Sequence, residues 1–330
     1  MDVKHWTCLG KNAPSHAHFV AQGYEKRPQK GVLHFTKKYN EKRQSQYTAL
    51  GANELPDISR TPSVKVQREL RKEVGFSCPM PGLEGTERCG NPYLTWHHFD
   101  PPWRKKHHHN PEGMIALCRT HHDIADQGAY TIEQLHKFKK QASNRFRKVL
   151  GKLEWMRHNT LAVVGGNFYY NTPTIFQYYE NRIIWFERDN QNYLLLNIDL
   201  LPLPSSSRVQ MQNNMWQVID EPVDIECPAS GKLIHVKYEN GNSLKIEFQN
   251  IDSASKFQNK YSDVLLPSIH LPIVVVEVYM SVKEANISFS SKETGLNTNT
   301  YKGNFLHNLP VALGFHSTVG GIIDNSKIND

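Results

Sequence analysis

Residues 78–126 read CPMPGLEGTERCGNPYLTWHHFDPPWRKKHHHNPEGMIALCRTHHDIAD. Three of the chain's five cysteines fall in this stretch, with seven histidines and three aspartates. Cys, His and Asp are the side chains that hold divalent metals, and two sets of them interleave here. Cys118-Arg119-Thr120-His121 has the two-residue spacing that lets both end residues reach one tetrahedral ion. Cys78 and Cys89 can supply the other half of a Cys3His set suited to zinc. Residues 82–88, GLEGTER, lengthen the turn between those two cysteines, with Pro81 and Gly82 permitting the reversal. A closed four-ligand set is structural: it would fasten a strand pair to a helix where apolar residues are few. The competing reading is of free or buried thiols.

The second set is His97, His98, His122 and Asp126. His122 and Asp126 are four apart, so on a helix they share a side. His97 and His98 are adjacent on a strand, so they point to opposite faces. One of that pair can bind a metal with His122 and Asp126 while the other does different work nearby. A mixed imidazole and carboxylate site that stays open suits Mg²⁺, Mn²⁺ or a similar ion. Phosphodiester hydrolysis requires such an ion, to bear charge at the phosphate, and a neutral imidazole to deprotonate water.

The flanking sequence predicts local elements. Ser63 caps a helix whose apolar positions are Val64, Val66, Leu70 and Val74, and Gly75 stops it. Tyr93 to Phe99 reads as a strand, Trp103 to Pro111 as a basic loop, and Met114 to Leu117 as an apolar run. Arg119 to Asp126 is helix-compatible, and Gly128 ends it. Thr131 and Gln134 form a capping box for a long helix with the stripe Leu135, Phe138, Ala142, Phe146, Leu150 and Leu153. Its eight Lys or Arg between residues 131 and 158 form either a solvated face or a DNA-facing one.

These residues resemble the HNH endonucleases, whose ββα-metal fold carries a zinc knuckle. The resemblance covers roughly residues 63–135. Leu117-Cys118-Arg119-Thr120-His121-His122-Asp123-Ile124-Ala125-Asp126 matches the helix motif, with His121 at the second knuckle cysteine and Asp126 at the final histidine. His97-His98 matches the strand pair. The resemblance implies that His97, His122 and Asp126 hold the catalytic ion and that His98 is the general base. It also implies structural zinc on Cys78, Cys89, Cys118 and His121. The family's middle Asn falls at Gly113 here. Asn110 stands three residues earlier and is expected to take over its role, fixing the loop and orienting His98. Asp100 is a further candidate ligand or supporting partner. Arg104, Lys105 and Lys106 are expected to contact phosphates. His136, Cys8 and Cys227 read as structural or incidental.

At 330 residues the chain has room for two domains. Residues 1–60 read as an irregular basic arm packed through Trp6, Phe19 and Phe35; 61–158 as the HNH domain; 159–330 as an all-β recognition or regulatory domain. In that last region Thr174–Tyr179, Arg182–Phe186, Tyr193–Ile198, Leu233–Tyr238 and Ser243–Phe248 are β-branched, aromatic or alternating, with Asn- and Gly-rich turns between them. The fold class is therefore α+β, the last domain being a sandwich or a solenoid without a fixed period. The tail from Asn304 either closes the sheet or frays.

The net charge of +7 divides unevenly. Residues 1–158 hold 27 basic and 15 acidic residues, and residues 159–330 hold 12 and 17. The front half is thus the candidate for a polyanion partner, against the plainer reading of a solvated basic face, and the acidic half suits a protein partner, a ligand or self-association. The opening MDVKHWTCLG lacks the apolar run of a signal peptide. Pro272 to Met280 is too short for a membrane span and contains Glu277. An odd cysteine count with a metal-like cluster indicates a reducing, cytoplasmic setting. The leading expectation is a metal-dependent DNA endonuclease, by analogy in restriction, anti-phage defence or mobile-DNA processing. The alternatives are a non-catalytic nucleic-acid-binding protein on the zinc scaffold and an RNA-directed nuclease.

Overall fold

Ser63 caps a helix as its sequence suggests. In α1 (Val64–Glu73) the Ser63 hydroxyl accepts from the Val66 N–H at 3.5 Å. The computed structural model describes residues 58–82, 87–142, 148–205, 209–262 and 269–315. The expectations for Trp6, Cys8, Phe19, Phe35, Phe146 and the tail past 315 lie outside these residues. Leu70 and Val74 are buried, whereas Val64 is exposed, so the apolar stripe starts later than its spacing implies. Gly75 follows with φ +59°, a left-handed turn that ends helices and suits glycine.

Strands β1 (Leu94–His98) and β2 (Met114–Cys118) pair antiparallel, with Leu94 opposite Cys118 and His98 opposite Met114. Every residue of β2 is buried. Helix α2 (Arg119–Asp126) follows directly and packs on β1. Helix α3 (Ile132–Ala142) opens on the capping box: the Thr131 N–H donates to Gln134 Oε1 at 2.9 Å, and the Gln134 N–H to Thr131 Oγ1 at 3.2 Å. Leu70, Val74, Leu94, Ile115, Leu117 and Leu135 form the core these elements share.

The expected long helix does not reach Leu153. Residues 149–152 are instead a strand, β3 (Val149–Lys152). Val149 and Leu153 are buried while Leu150 is 55% exposed, the alternation of a strand and not of a helix face. Nor is the basic face of α3 wholly solvated: Lys139 sits 3.0 Å from Glu73 and donates to the Met114 carbonyl at 3.0 Å.

The rest is β-rich. In order come β4 (Thr160–Val164), β5 (Asn167–Tyr170), β6 (Thr174–Tyr178), β7 (Asn181–Arg188), β8 (Leu194–Asp199), β9 (Val209–Gln212), β10 (Met215–Val218), β11 (Asp224–Glu226), β12 (Leu233–Lys237) and β13 (Ser243–Ile251). A short helix, α4 (Ala254–Lys260), precedes β14 (Ile273–Val282), β15 (Ile287–Phe289), β16 (Thr294–Leu296), β17 (Asn299–Tyr301), β18 (Phe305–His307) and β19 (Val311–Phe315). One sheet has the order β19-β6-β7-β8-β9-β10-β3. The other runs β11-β12-β13-β14-β15-β16-β17, with β4 on β14 and then β5 and β18. Phe176, Ile184 and Trp216 of the first sheet meet Ile234, Ile246 and Val276 of the second in one apolar core. The described chain is thus α+β with a β-rich C-terminal region. None of its described helices is long and apolar enough to cross a membrane.

The two parts are tied together by polar contacts, one of them a buried ion pair, that place the hairpin. Arg71 on α1 makes a bidentate pair with Asp224 on β11, at 2.9 and 2.7 Å, and both residues are buried. The Leu94 N–H donates to the Cys227 carbonyl at 3.2 Å, and the Tyr93 hydroxyl to the Lys152 carbonyl at 2.5 Å. The described residues belong to one compact unit. Removing one member of a buried ion pair strands the other charge, which costs about 3–5 kcal/mol. Asp224→Ala is therefore expected to lower stability by that amount in urea denaturation. A midpoint equal to the parent's would show that the Arg71 charge is relieved by water.

Candidate metal centres

The turn before β1 gathers the first donor set. The Cys78 N–H donates to the Asn91 carbonyl at 2.8 Å, the Cys89 N–H to the Met80 carbonyl at 2.8 Å, and the Gly90 N–H to the Cys78 carbonyl at 3.1 Å. Arg88 clasps the same turn. Its guanidinium donates to the Val74 carbonyl at 2.8 Å, to the Ser77 hydroxyl at 2.7 Å and to the Ser77 carbonyl. Sequence reasoning passed over Arg88, and its place beside Cys89 is the only signal of that role. Across the hairpin, Cys118 ends β2 and His121 lies in the first turn of α2. One donor atom from each of Cys78, Cys89, Cys118 and His121 lies within 4.8 Å of all the others.

The separations suit a tetrahedral ion. Cys118 Sγ is 3.2 Å and Cys78 Sγ 3.5 Å from His121 Nδ1, and Cys89 Sγ is 3.9 Å from Cys118 Sγ. Zn–S bonds of about 2.3 Å and Zn–N bonds near 2.0 Å imply donor separations of roughly 3.5–3.8 Å. Sulfurs 3.9 Å apart are not bonded, and Cys78, Cys89, Cys118 and Cys227 are all free thiols. Cys118 is pulled down to about 5 by the hydrogen bond from the Cys78 thiol, with His121 adding to it, and the Cys78 thiol is correspondingly raised. A thiolate already favoured at Cys118 is what metal ligation uses.

At the far end of β1, His97 and His98 face opposite ways. His97 Nδ1 lies 3.1 Å from Asp126 Oδ1, and His122 Nδ1 lies 3.6 Å from Asp126 Oδ2. Donor atoms of His97, His122 and Asp126 all fall within 4.8 Å of one another. His122 Nε2 is 3.3 Å from the Trp96 carbonyl, so it carries the hydrogen and leaves the Nδ1 lone pair facing Asp126. His97 is 5% exposed, yet its Nδ1 has no hydrogen bond of good geometry. A buried ring nitrogen beside a carboxylate is a donor pair that a cation could bridge. Burial, then the neighbouring His122, lowers the His97 pKa to about 4, so the ring is neutral and able to ligate.

His98 occupies the other face and is 4% exposed, with neither ring nitrogen hydrogen-bonded. The Trp103 ring lies 4.6 Å from it, His108 5.4 Å and His109 5.9 Å. Trp103 is itself stacked between His107 and His109. Burial, then His108 and His109, lowers the His98 pKa to about 4, which keeps the imidazole neutral as a proton acceptor must be.

The remaining candidates separate. Asn110 does fix the loop, by accepting from the Glu112 N–H at 3.4 Å, but it does not bond to His98. Its backbone N–H instead donates to His108 Nδ1 at 3.1 Å, and His108 Nε2 reaches the Pro101 carbonyl at 2.8 Å. Asp100 is in neither donor set, its carboxylate lying 3.5 Å from His136, whose ring lies edge-on to Phe99. Arg104, Lys105 and Lys106 are exposed on the loop. Cys227 is buried in the β core.

Gly113 has a steric reason. Its carbonyl accepts from the Phe99 and Asp100 N–H groups at 2.9 and 3.1 Å, and a Cβ there would overlap the Asp100 carbonyl. No side chain fits at this position, so Gly113→Asn, which restores the resembled pattern, is expected to destabilise the hairpin by about 1–3 kcal/mol. A thermal melt at or above the parent's would contradict this.

Comparison with protein-family models, curated proteins and solved structures gave no match for the chain.

Proposed function

We propose that the chain is a metal-dependent endonuclease that hydrolyses DNA phosphodiester bonds on an HNH-like ββα unit. One observation carries the proposal: donor atoms of His97, His122 and Asp126 lie within 4.8 Å of one another, while His98, held neutral by burial, follows on the same strand with its ring on the other face. A protein that only bound nucleic acid would have no use for this second constellation beside the zinc-type one. Cys78, Cys89, Cys118 and His121 would hold zinc as a closed structural set that pins β1, β2 and α2 together. His97, His122 and Asp126 would hold Mg²⁺, Mn²⁺ or a similar ion, with Asp126 exposed and the site open to substrate. Such an ion, when bound, offsets the charge that grows on the phosphate and the leaving oxygen.

The chain's own residues do the rest. His98 accepts a proton from water; the water oxygen bonds to phosphorus; the scissile P–O bond breaks; and the departing oxygen is protonated from solvent. Trp103 packs against His98 with ring centroids 4.6 Å apart, so catalysis requires the His98 ring to be uncovered for water to reach it. Arg104, Lys105 and Lys106 add sequence-independent attraction to phosphates. The basic front half, net +12, supports a polyanionic substrate.

Asp126→Asn tests the metal assignment. The variant is expected to bind Mn²⁺ about 10–100-fold more weakly by calorimetry and to cleave correspondingly less at fixed metal. Parental Mn²⁺ affinity would remove Asp126 from the site.

A further inference from the structure

One cavity touches the first donor set only at Cys89 and otherwise lies apart from both sets. It is a groove of about 1110 Å³ across the outer face of β7, β8, β9, β10 and β3, walled on one side by residues 88–93. The opposite face of these strands is the apolar core, so the groove face would ordinarily be plain solvated surface. It carries instead three glutamines, Gln210, Gln212 and Gln217, together with Leu150 and Met215, which are 55% and 58% exposed.

We infer that this groove binds single-stranded DNA next to the cleavage site; the inference rests on the nuclease reading and assigns it a second substrate contact. Three features select the ligand. Gln217 Nε2 donates to Gln210 Oε1 at 2.6 Å, which leaves one amide's oxygen and the other's NH₂ with capacity to spare. Such amides match base edges. Arg182 lies 4.8 Å over the Trp185 ring, and both donate to Glu187 Oε1, at 3.0 and 2.9 Å. That is a pre-built stack of flat groups to which a base can add. The lining holds Arg88, Lys148, Lys152 and Arg182 against Glu187 and Asp199; Arg88 is committed to the 74–77 turn, Lys152 pairs with Glu154 at 3.0 Å and Arg182 with Glu187 at 3.0 Å, so the balance is mildly basic. A neutral saccharide would satisfy the amides but not the charge. A duplex keeps its base faces stacked, whereas a single strand offers both faces and edges.

The groove is held in register with the hairpin. Cys89 of its wall belongs to the first donor set, and Tyr93 donates to the Lys152 carbonyl on its floor. From Leu94 to His98, β1 spans only about 13 Å, at roughly 3.3 Å per residue, a distance that a few nucleotides cover.

The test is fluorescence anisotropy of the full-length chain with labelled single-stranded and duplex oligonucleotides of the same sequence, without added divalent ion. Two variants are compared with the parent, Gln210→Ala/Gln217→Ala and Trp185→Ala, each checked for an unchanged melt. Single-strand affinity is expected to fall about tenfold or more in both, with duplex affinity changed much less. The glutamine pair keeps the question open to refutation if Trp185→Ala does not fold. Parental single-strand affinity in the glutamine variant, loss confined to duplex, or competition by a neutral oligosaccharide would each overturn the inference. Plasmid cleavage by the same proteins separates the two claims: a parent that never cuts sinks the nuclease reading, while anisotropy still reads the groove.

Discussion

Cys118→Ser is expected to release zinc and unfold the hairpin, not merely to loosen it. Cys118 is 3% exposed, ends β2, begins α2 and lies opposite Leu94, so three elements meet at its sulfur. Cys78, Cys89 and His121 would be left with an incomplete shell. Structural zinc sites contribute about 10–16 kcal/mol in small domains, comparable with the roughly 5–15 kcal/mol that separates a folded domain from its unfolded chain. The core here, Leu70, Val74, Ile115, Leu117 and Leu135, is small. The Arg71–Asp224 pair and the Tyr93–Lys152 bond would still tether the segment, so the β core is expected to survive as a separate, later transition. Zinc content by mass spectrometry and a thermal melt check this together. The expected result is loss of bound zinc and an added early transition. A variant that keeps stoichiometric zinc and melts in one step at the parental temperature would remove Cys118 from the metal set.

The donor sets were legible because both spacings are short. Cys118 and His121 are brought together by one helical turn, and His122 and Asp126 by the next, so local geometry alone predicts them. The sequence also offers Cys78 and Cys89 to the first set, and the hairpin register, with Leu94 opposite Cys118, shows how the fold brings them there. Residues 149–153 went the other way. Leu150 and Leu153 continue the 3.6-residue stripe of α3, yet pairing with β10 turns the segment into a strand that buries Val149 and Leu153 and exposes Leu150. Tertiary pairing overrode a locally acceptable helix pattern. Arg71 and Asp224 were invisible as a pair, being 153 positions apart on segments with no shared motif. Gly113 looked like a lost functional residue. The close approach of the Asp100 carbonyl, which no spacing reveals, makes it a steric requirement. The role given to Asn110 was half legible, since an Asn-Pro pair marks a turn start, but its bonds run to Glu112 and His108 and not to His98.

His98→Ala is expected to abolish cleavage while leaving both donor sets intact. The ring makes no hydrogen bond and is not among the three donors on the other face of β1, so its removal strands no partner. General-base catalysis contributes typically about 10²–10⁴-fold, which sets the expected loss. Zinc content and Mn²⁺ affinity should stay parental, which sets this variant apart from Cys118→Ser and Asp126→Asn.

The deciding measurement is cleavage of supercoiled plasmid with Mg²⁺ or Mn²⁺ by the parent and by His98→Ala, with EDTA in a parallel reaction. The expected result is cleavage by the parent that both EDTA and His98→Ala abolish. Cleavage by His98→Ala at the parental rate, or no cleavage by a folded, zinc-loaded parent, would contradict it.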